Sequence, residues 1–167
     1  MYTNFPPQIQ VQQLKAGWFK RSYVFVADDK IISQLDYEKS YSNKAKGTLN
    51  GQEFFIQRNG FWKYFIEINS TSQQFNARIG INWKNQMKVV DSAGNPFLFK
   101  HTSIWKNKWQ WIDRHERPLI EIRSNIFSRK NRGSIEVKHP DMKDPLFWVI
   151  VSWFVILCSE SDAAASG

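Results

Sequence analysis

This 167-residue chain has a single cysteine, Cys158. An intrachain disulfide is therefore excluded, and the composition fits a reducing compartment. Glycine is also scarce, at 8 residues, and none of it builds a Gly-rich phosphate loop or a G-x-S-x-G elbow. The three histidines, His101, His115 and His139, lie too far apart for HExxH or a comparable ligand spacing. Each is expected at the surface or in a turn. No catalytic constellation, metal site or cofactor is implied, which argues against an enzyme. The first fifteen residues contain no apolar h-region, so no signal peptide is expected and a cytoplasmic location follows. The longest apolar run, Leu146 to Cys158, has thirteen residues broken only by Ser152. A membrane-spanning helix needs about 20.

What the chain does contain is aromatic side chains and positive charge. Eight Trp, 13 Phe and 5 Tyr beside 23% charged residues describe a globular protein, and the length suits one domain spanning 1–167. The net charge of +8 favours anionic partners such as phospholipid headgroups, nucleic acid or acidic protein surfaces.

Between residues 8 and 140 no helical period is sustained, and alternation with period two recurs instead. Phe75–Ile81, Ile120–Arg123 and Ile135–Lys138 alternate cleanly. Turn signals separate such segments. Asn50-Gly51 and Asn59-Gly60 read as type I′ hairpins, with further turns at Asp28-Asp29, Asp91–Pro96, His115–Pro118 and Asn131–Gly133. Roughly a dozen strands result, an all-β meander. Val90–Phe97 and Ile112–Leu119 share the pattern apolar-Asp-x4-Pro-apolar, a strand, an Asp-opened turn and a returning strand.

The apolar run begins like a helix. Asp144 suits the N-cap and Pro145 the first helical position, which predicts a helix over about 145–157 followed by a flexible tail over 159–167. A helix apolar all round cannot lie with one face in water. Phe147, Trp148, Val151, Trp153 and Phe154 need a complete apolar sheath, which a dozen strands closed into an antiparallel barrel would supply. The competing readings are a tail anchor and a buried central strand, the latter favoured by the β-branched residues of the run.

A twelve-stranded barrel threaded by a hydrophobic C-terminal helix is similar to the tubby C-terminal-like superfamily, which includes tubby proteins, phospholipid scramblases and plant LURP-one-related proteins. The resemblance runs from about Ile9 to Leu157. It rests on the architecture, the Asp-turn strand pairs and the run DPLFWVIVSWFVILC. It implies a non-enzymatic barrel that associates with anionic lipid headgroups, peripheral at a membrane surface. Tubby proteins bind phosphoinositides through basic residues on the barrel wall, but no individual position is carried over. The acidic segment that scramblases carry before the helix is reduced here to Asp141 and Asp144, and their cysteine cluster to Cys158. The resemblance therefore implies neither calcium binding nor palmitoylation.

Residues 100 to 138 hold ten Lys or Arg against four acids. Arg129-Lys130-Asn131-Arg132 is expected as an exposed turn attractive to phosphate groups. In Ile104–Trp111 the alternation puts Trp105, Trp109 and Trp111 on one face. With that face inward, Lys106 and Lys108 point out. The candidate headgroup-binding residues are therefore Lys106, Lys108, Arg129, Lys130 and Arg132. If the tryptophans faced outward, the same strip would suit single-stranded nucleic acid. A structural or protein-interaction barrel is the remaining reading.

Overall fold

The computed structural model describes residues 5–14, 20–39, 43–60, 62–73, 76–103, 105–139 and 141–167. Twelve strands and one helix follow in order. The strands are β1 (Gln8–Leu14), β2 (Arg21–Ala27), β3 (Lys30–Tyr37), β4 (Lys44–Leu49), β5 (Gln52–Asn59) and β6 (Tyr64–Ser70). They continue as β7 (Ala77–Ile81), β8 (Met87–Val90), β9 (Pro96–Ser103), β10 (Lys108–Ile112), β11 (Pro118–Ser124) and β12 (Gly133–Val137). The helix α1 spans Pro145–Ser166. Every strand pairs antiparallel with its sequence neighbours, and β1 pairs with β12, Ile9 opposite Ile135, to close the barrel. The expected architecture is the observed one.

Alternation decides which side chains enter. Tyr23 and Phe25, Leu35 and Tyr37, Phe54 and Ile56, Ile66 and Ile68, and Ile120 and Ile122 all join one core with α1. On the helix, Phe147 and every residue from Val149 to Cys158 are buried, so all its faces are covered. Contacts come from around the barrel. Tyr23 meets Trp153 edge-on, Tyr37 stacks on Phe154 and Phe54 tilts against Phe147. Trp111 Nε1 donates to Ser152 Oγ at 2.6 Å, and Ser152 Oγ donates to the Trp148 carbonyl at 2.5 Å, so the polar residue that interrupts the apolar run is satisfied. By length and composition alone α1 could cross a membrane, a property it shares with core helices, and here the barrel encloses it.

Turn chemistry is largely as expected. Asp28 and Asp29 have φ of 49° and 60°, and Asn50 and Gly51 have 51° and 75°, so both pairs make the left-handed turns that twisted hairpins need. Asn59-Gly60 differs. Asn59 ends β5 and Gly60, at φ 102°, enters a longer loop, where a Cβ would lie 2.1 Å from the Lys63 carbonyl oxygen. β7 begins at Ala77, and Phe75 lies outside the described residues.

The helix departs from expectation at both ends. Asp144 adopts the left-handed φ 52°, ψ 57° in place of the extended backbone usual for an N-cap, and makes no side-chain cap. Residues 159–166, expected as a flexible tail, continue the helix. Arg58 grips Asp162 at 2.7 and 3.0 Å, Arg132 pairs with Glu160, and Ala163–Ala165 are strong helix formers. Trp148, expected in the core, is half-buried at the barrel mouth, packed edge-on against Trp111 and Phe147.

Candidate functional site

Antiparallel closure sorts the loops by parity. Those that follow odd-numbered strands lie at one end, where α1 leaves the barrel, and those that follow even-numbered strands lie at the other, where α1 enters. The helix confirms the assignment, because Asp162, Glu160 and Ser159 meet Arg58, Arg132 and Asn85 at the first end.

Charge follows the same division. The exit-end loops carry Lys20, Lys39, Lys63, Lys84, Lys106, Arg129 and Lys130 against Glu38. The entry-end loops carry Asp28, Asp29, Asp91, Asp113, Glu116, Asp141 and Asp144 against Arg114, Arg117, Lys138 and Lys143. Glu160 and Asp162 reach the exit end with the helix, but Arg132 and Arg58 hold them, so they do not cancel the loop lysines. One end is cationic and the other acidic.

The five predicted cations separate against this division. Lys106, Arg129 and Lys130 stand exposed at the exit end. Lys108 and Arg132 do not join them. Lys108 Nζ lies 3.0 Å from Glu121, and Arg132 is buried, paired with Glu160 and 5.5 Å from the Trp153 ring. Arg132 was expected in an exposed turn, but the helix exit draws it inward. The strip from 100 to 138 is not one surface, since Arg114 and Arg117 lie at the opposite end. Trp109 and Trp111 point inward as expected, whereas Trp105 sits in the β9–β10 turn, fully outside. His101, expected at the surface or in a turn, lies half-buried on β9 stacked on Trp109 with ring centroids 4.2 Å apart, and burial lowers its pKa.

Glu121 is a carboxylate buried on the outer wall of β11. Gln110 donates to it at 3.0 Å, and Lys108, Arg123 and Lys138 surround it at 3.0, 3.2 and 3.7 Å. Burial alone would raise its pKa. The bonds from Lys108, Gln110 and Arg123 win and hold it at about 2. The cluster ties three strands together and leaves Lys108 no role toward an external anion.

Two wall clefts differ in sign. The larger, about 670 Å³, is lined by Asp28, Asp29, Glu121 and Glu136 beside Arg123, so acids outnumber bases in its lining. The second, about 450 Å³, opens beside the exit end between β2, β3 and β4. Lys20, Arg21, Lys44 and Lys46 line it, with Asp36, Glu38, Tyr37 and Phe55. Asp36 already accepts from Ser22 and from Gln34, the latter at 2.8 Å, and Arg21 lies 4.6 Å from the Tyr37 ring. Sequence reasoning missed this cleft. Its only local signal is Lys44-Ala45-Lys46, where alternation turns both lysines outward, and the β2 residues across the cleft, Arg21 and Ser22, lie more than twenty residues away.

No protein-family model, curated protein or solved structure matches the chain. Among the described residues no group of three or more His, Cys, Asp or Glu could hold a metal ion. Cys158 is buried in the core, and burial pushes its thiol up to about 11, which keeps it un-ionised.

Proposed function

We propose that this chain is a non-enzymatic, tubby-like barrel that associates with anionic phospholipid headgroups at a membrane surface, through its exit end. The observation that carries the reading is the separation of charge between the two ends of the barrel. Each Lys or Arg near an anionic leaflet contributes about 1 kcal/mol. A single cationic end can bring all its cations to one plane, while the acidic end faces away. The cationic wall cleft opens on the same side and offers a place for a phosphate. A cytoplasmic protein would meet the leaflet rich in anionic lipid.

Vesicle co-sedimentation tests the proposal. Binding to vesicles that contain anionic lipid is expected, with loss at high salt and none to neutral vesicles. Reversing Lys84, Lys106 and Lys130 to Glu lowers the affinity by at least ~100-fold. Absence of salt-sensitive binding to anionic vesicles overturns it.

A further inference from the structure

Single exposed apolar side chains are ordinary on a protein surface. Their distribution here is not. Trp62, Trp83, Trp105 and Phe127 are 90%, 85%, 97% and 93% exposed, and each lies in a different loop at the exit end: β5–β6, β7–β8, β9–β10 and β11–β12. Among the described residues, the loops at the entry end carry no Trp, Phe or Tyr. The next residue after each tryptophan is a lysine (Lys63, Lys84, Lys106), and Phe127 is followed by Arg129-Lys130. Lys84 Nζ lies 5.0 Å over the Trp83 ring.

The spacing of the tips shows how they arise. They stand 21, 22 and 22 residues apart, one hairpin repeat each. The Asp91 and Asp113 turns at the other end keep the same interval of 22. Asp91 Oδ1 accepts from the amides of Ala93 and Asn95, and Asp113 Oδ1 from those of His115 and Arg117. Successive strands lie about 4.8 Å apart, so neighbouring tips are spaced roughly 10 Å along the rim. Among the described residues, four exit-end loops thus raise an aromatic ring close to a cation, on an arc around the point where α1 emerges.

We propose that this rim seats the barrel end-on on an anionic bilayer, with Trp62, Trp83, Trp105 and Phe127 entering the interfacial layer and the adjoining cations meeting the phosphates. The inference rests on the reading above and adds the apolar half of the contact. Indole is an amphipathic ring that concentrates at membrane interfaces. These four rings contribute nothing to the core, and an arc of separated tips matches a flat surface. No carboxylate lies in the four loops to repel the phosphates.

The test compares the wild-type protein with the triple variant Trp62→Ser, Trp83→Ser, Trp105→Ser. All three positions are outside the core, so circular dichroism and the melting temperature stay unchanged. Vesicles of phosphatidylcholine with phosphatidylserine, carrying bromines at a shallow acyl position, quench the wild-type fluorescence and not that of the triple variant. The variant's partition coefficient falls by roughly tenfold per tryptophan removed. A triple variant that partitions as the wild type does, on vesicles the wild type binds, overturns the rim and leaves the charge reading standing. No binding of the wild type to these vesicles overturns both. Quenching by single-stranded oligonucleotide in place of vesicles makes the rim a nucleic-acid surface and overturns the proposal.

Discussion

Glu121 shows how one carboxylate can set the acid limit of a barrel. Its pKa in the folded state is about 2, against 4.5 when unperturbed. A depressed folded pKa contributes stability that is complete above pH 4.5 and is lost as pH falls toward 2. At 1.36 kcal/mol per unit the full effect is on the order of 3 kcal/mol. Acid unfolding followed by tryptophan fluorescence should therefore lose stability most steeply between those two values. Glu121→Gln is expected to destabilise at neutral pH by about 2–3 kcal/mol, since Lys108, Arg123 and Lys138 would crowd a neutral amide. It should also flatten the acid limb. An unchanged pH profile in the variant would show that other carboxylates set it. The sequence does not announce this cluster. Lys108 and Glu121 are thirteen residues apart, and only the β10–β11 register, with Gln110 opposite Glu121, brings them together. The same limit explains Arg132. Its neighbours Arg129, Lys130 and Asn131 read correctly as a turn, but Glu160, 28 residues on, removes Arg132 from the surface. Gly133, by contrast, had a local signal as a turn residue and a nonlocal cause as well, because a Cβ there would meet the Trp153 ring at 2.5 Å.

At the scale of elements, strands and turns were legible where their requirement is short-range. Asp28-Asp29 and Asn50-Gly51 need positive φ within two residues, and alternation sorts Ile120 and Ile122 from Glu121 without any knowledge of the partner strand. The helix was legible from its apolar run, broken only by Ser152, and from Pro145. Its length was not, because the helix-forming Ala163–Ala165 are too short a local signal to separate Ser159–Ser166 from a frayed tail. What orders that segment is reached across the barrel, Arg58 from the end of β5 and Arg132 from the β11–β12 loop. Asp162→Asn should therefore melt the last turns without harming the core. Hydrogen exchange is expected to rise in residues 162–166 while global stability drops by less than about 1 kcal/mol, as for a partly exposed ion pair. Full protection retained in the variant would mean the alanines alone hold the helix.

At the scale of the whole molecule, the barrel and its helix depend on each other. Nine large apolar side chains of α1 are buried, each contributing roughly 1.5–3 kcal/mol, against a typical net stability of about 5–15 kcal/mol. A chain that stops before Asp144 is expected to lose the cooperative near-ultraviolet dichroism of a packed core. Trp153→Asp should do comparable damage alone by placing an unpaired charge there. A truncated barrel that melts cooperatively would sink this account. Which end is which, and hence where the aromatic tips and the cations gather, also belongs to this scale. In sequence Trp105 groups with the inward-facing Trp109 and Trp111, and nothing local sets Trp62 or Trp83 beside it. Only the parity of twelve strands places them together.

The threaded helix also imposes an order in time. Strands β1 to β12 leave the ribosome before Pro145 does, and synthesis proceeds at about 5–20 residues per second. For those seconds the inward faces of twelve strands have nothing to close on, and β1 cannot hold β12 against an empty centre. Domains that bury an early segment can begin to pack while the chain is still being made. This one must wait as an open sheet with its edges unpaired until residues 145–158 are free, and then wrap around them in one late event. Its exposure to aggregation is therefore concentrated in nascent chains rather than in the finished protein. Slowing translation within the last quarter of the chain should lower its yield more than the same delay placed early.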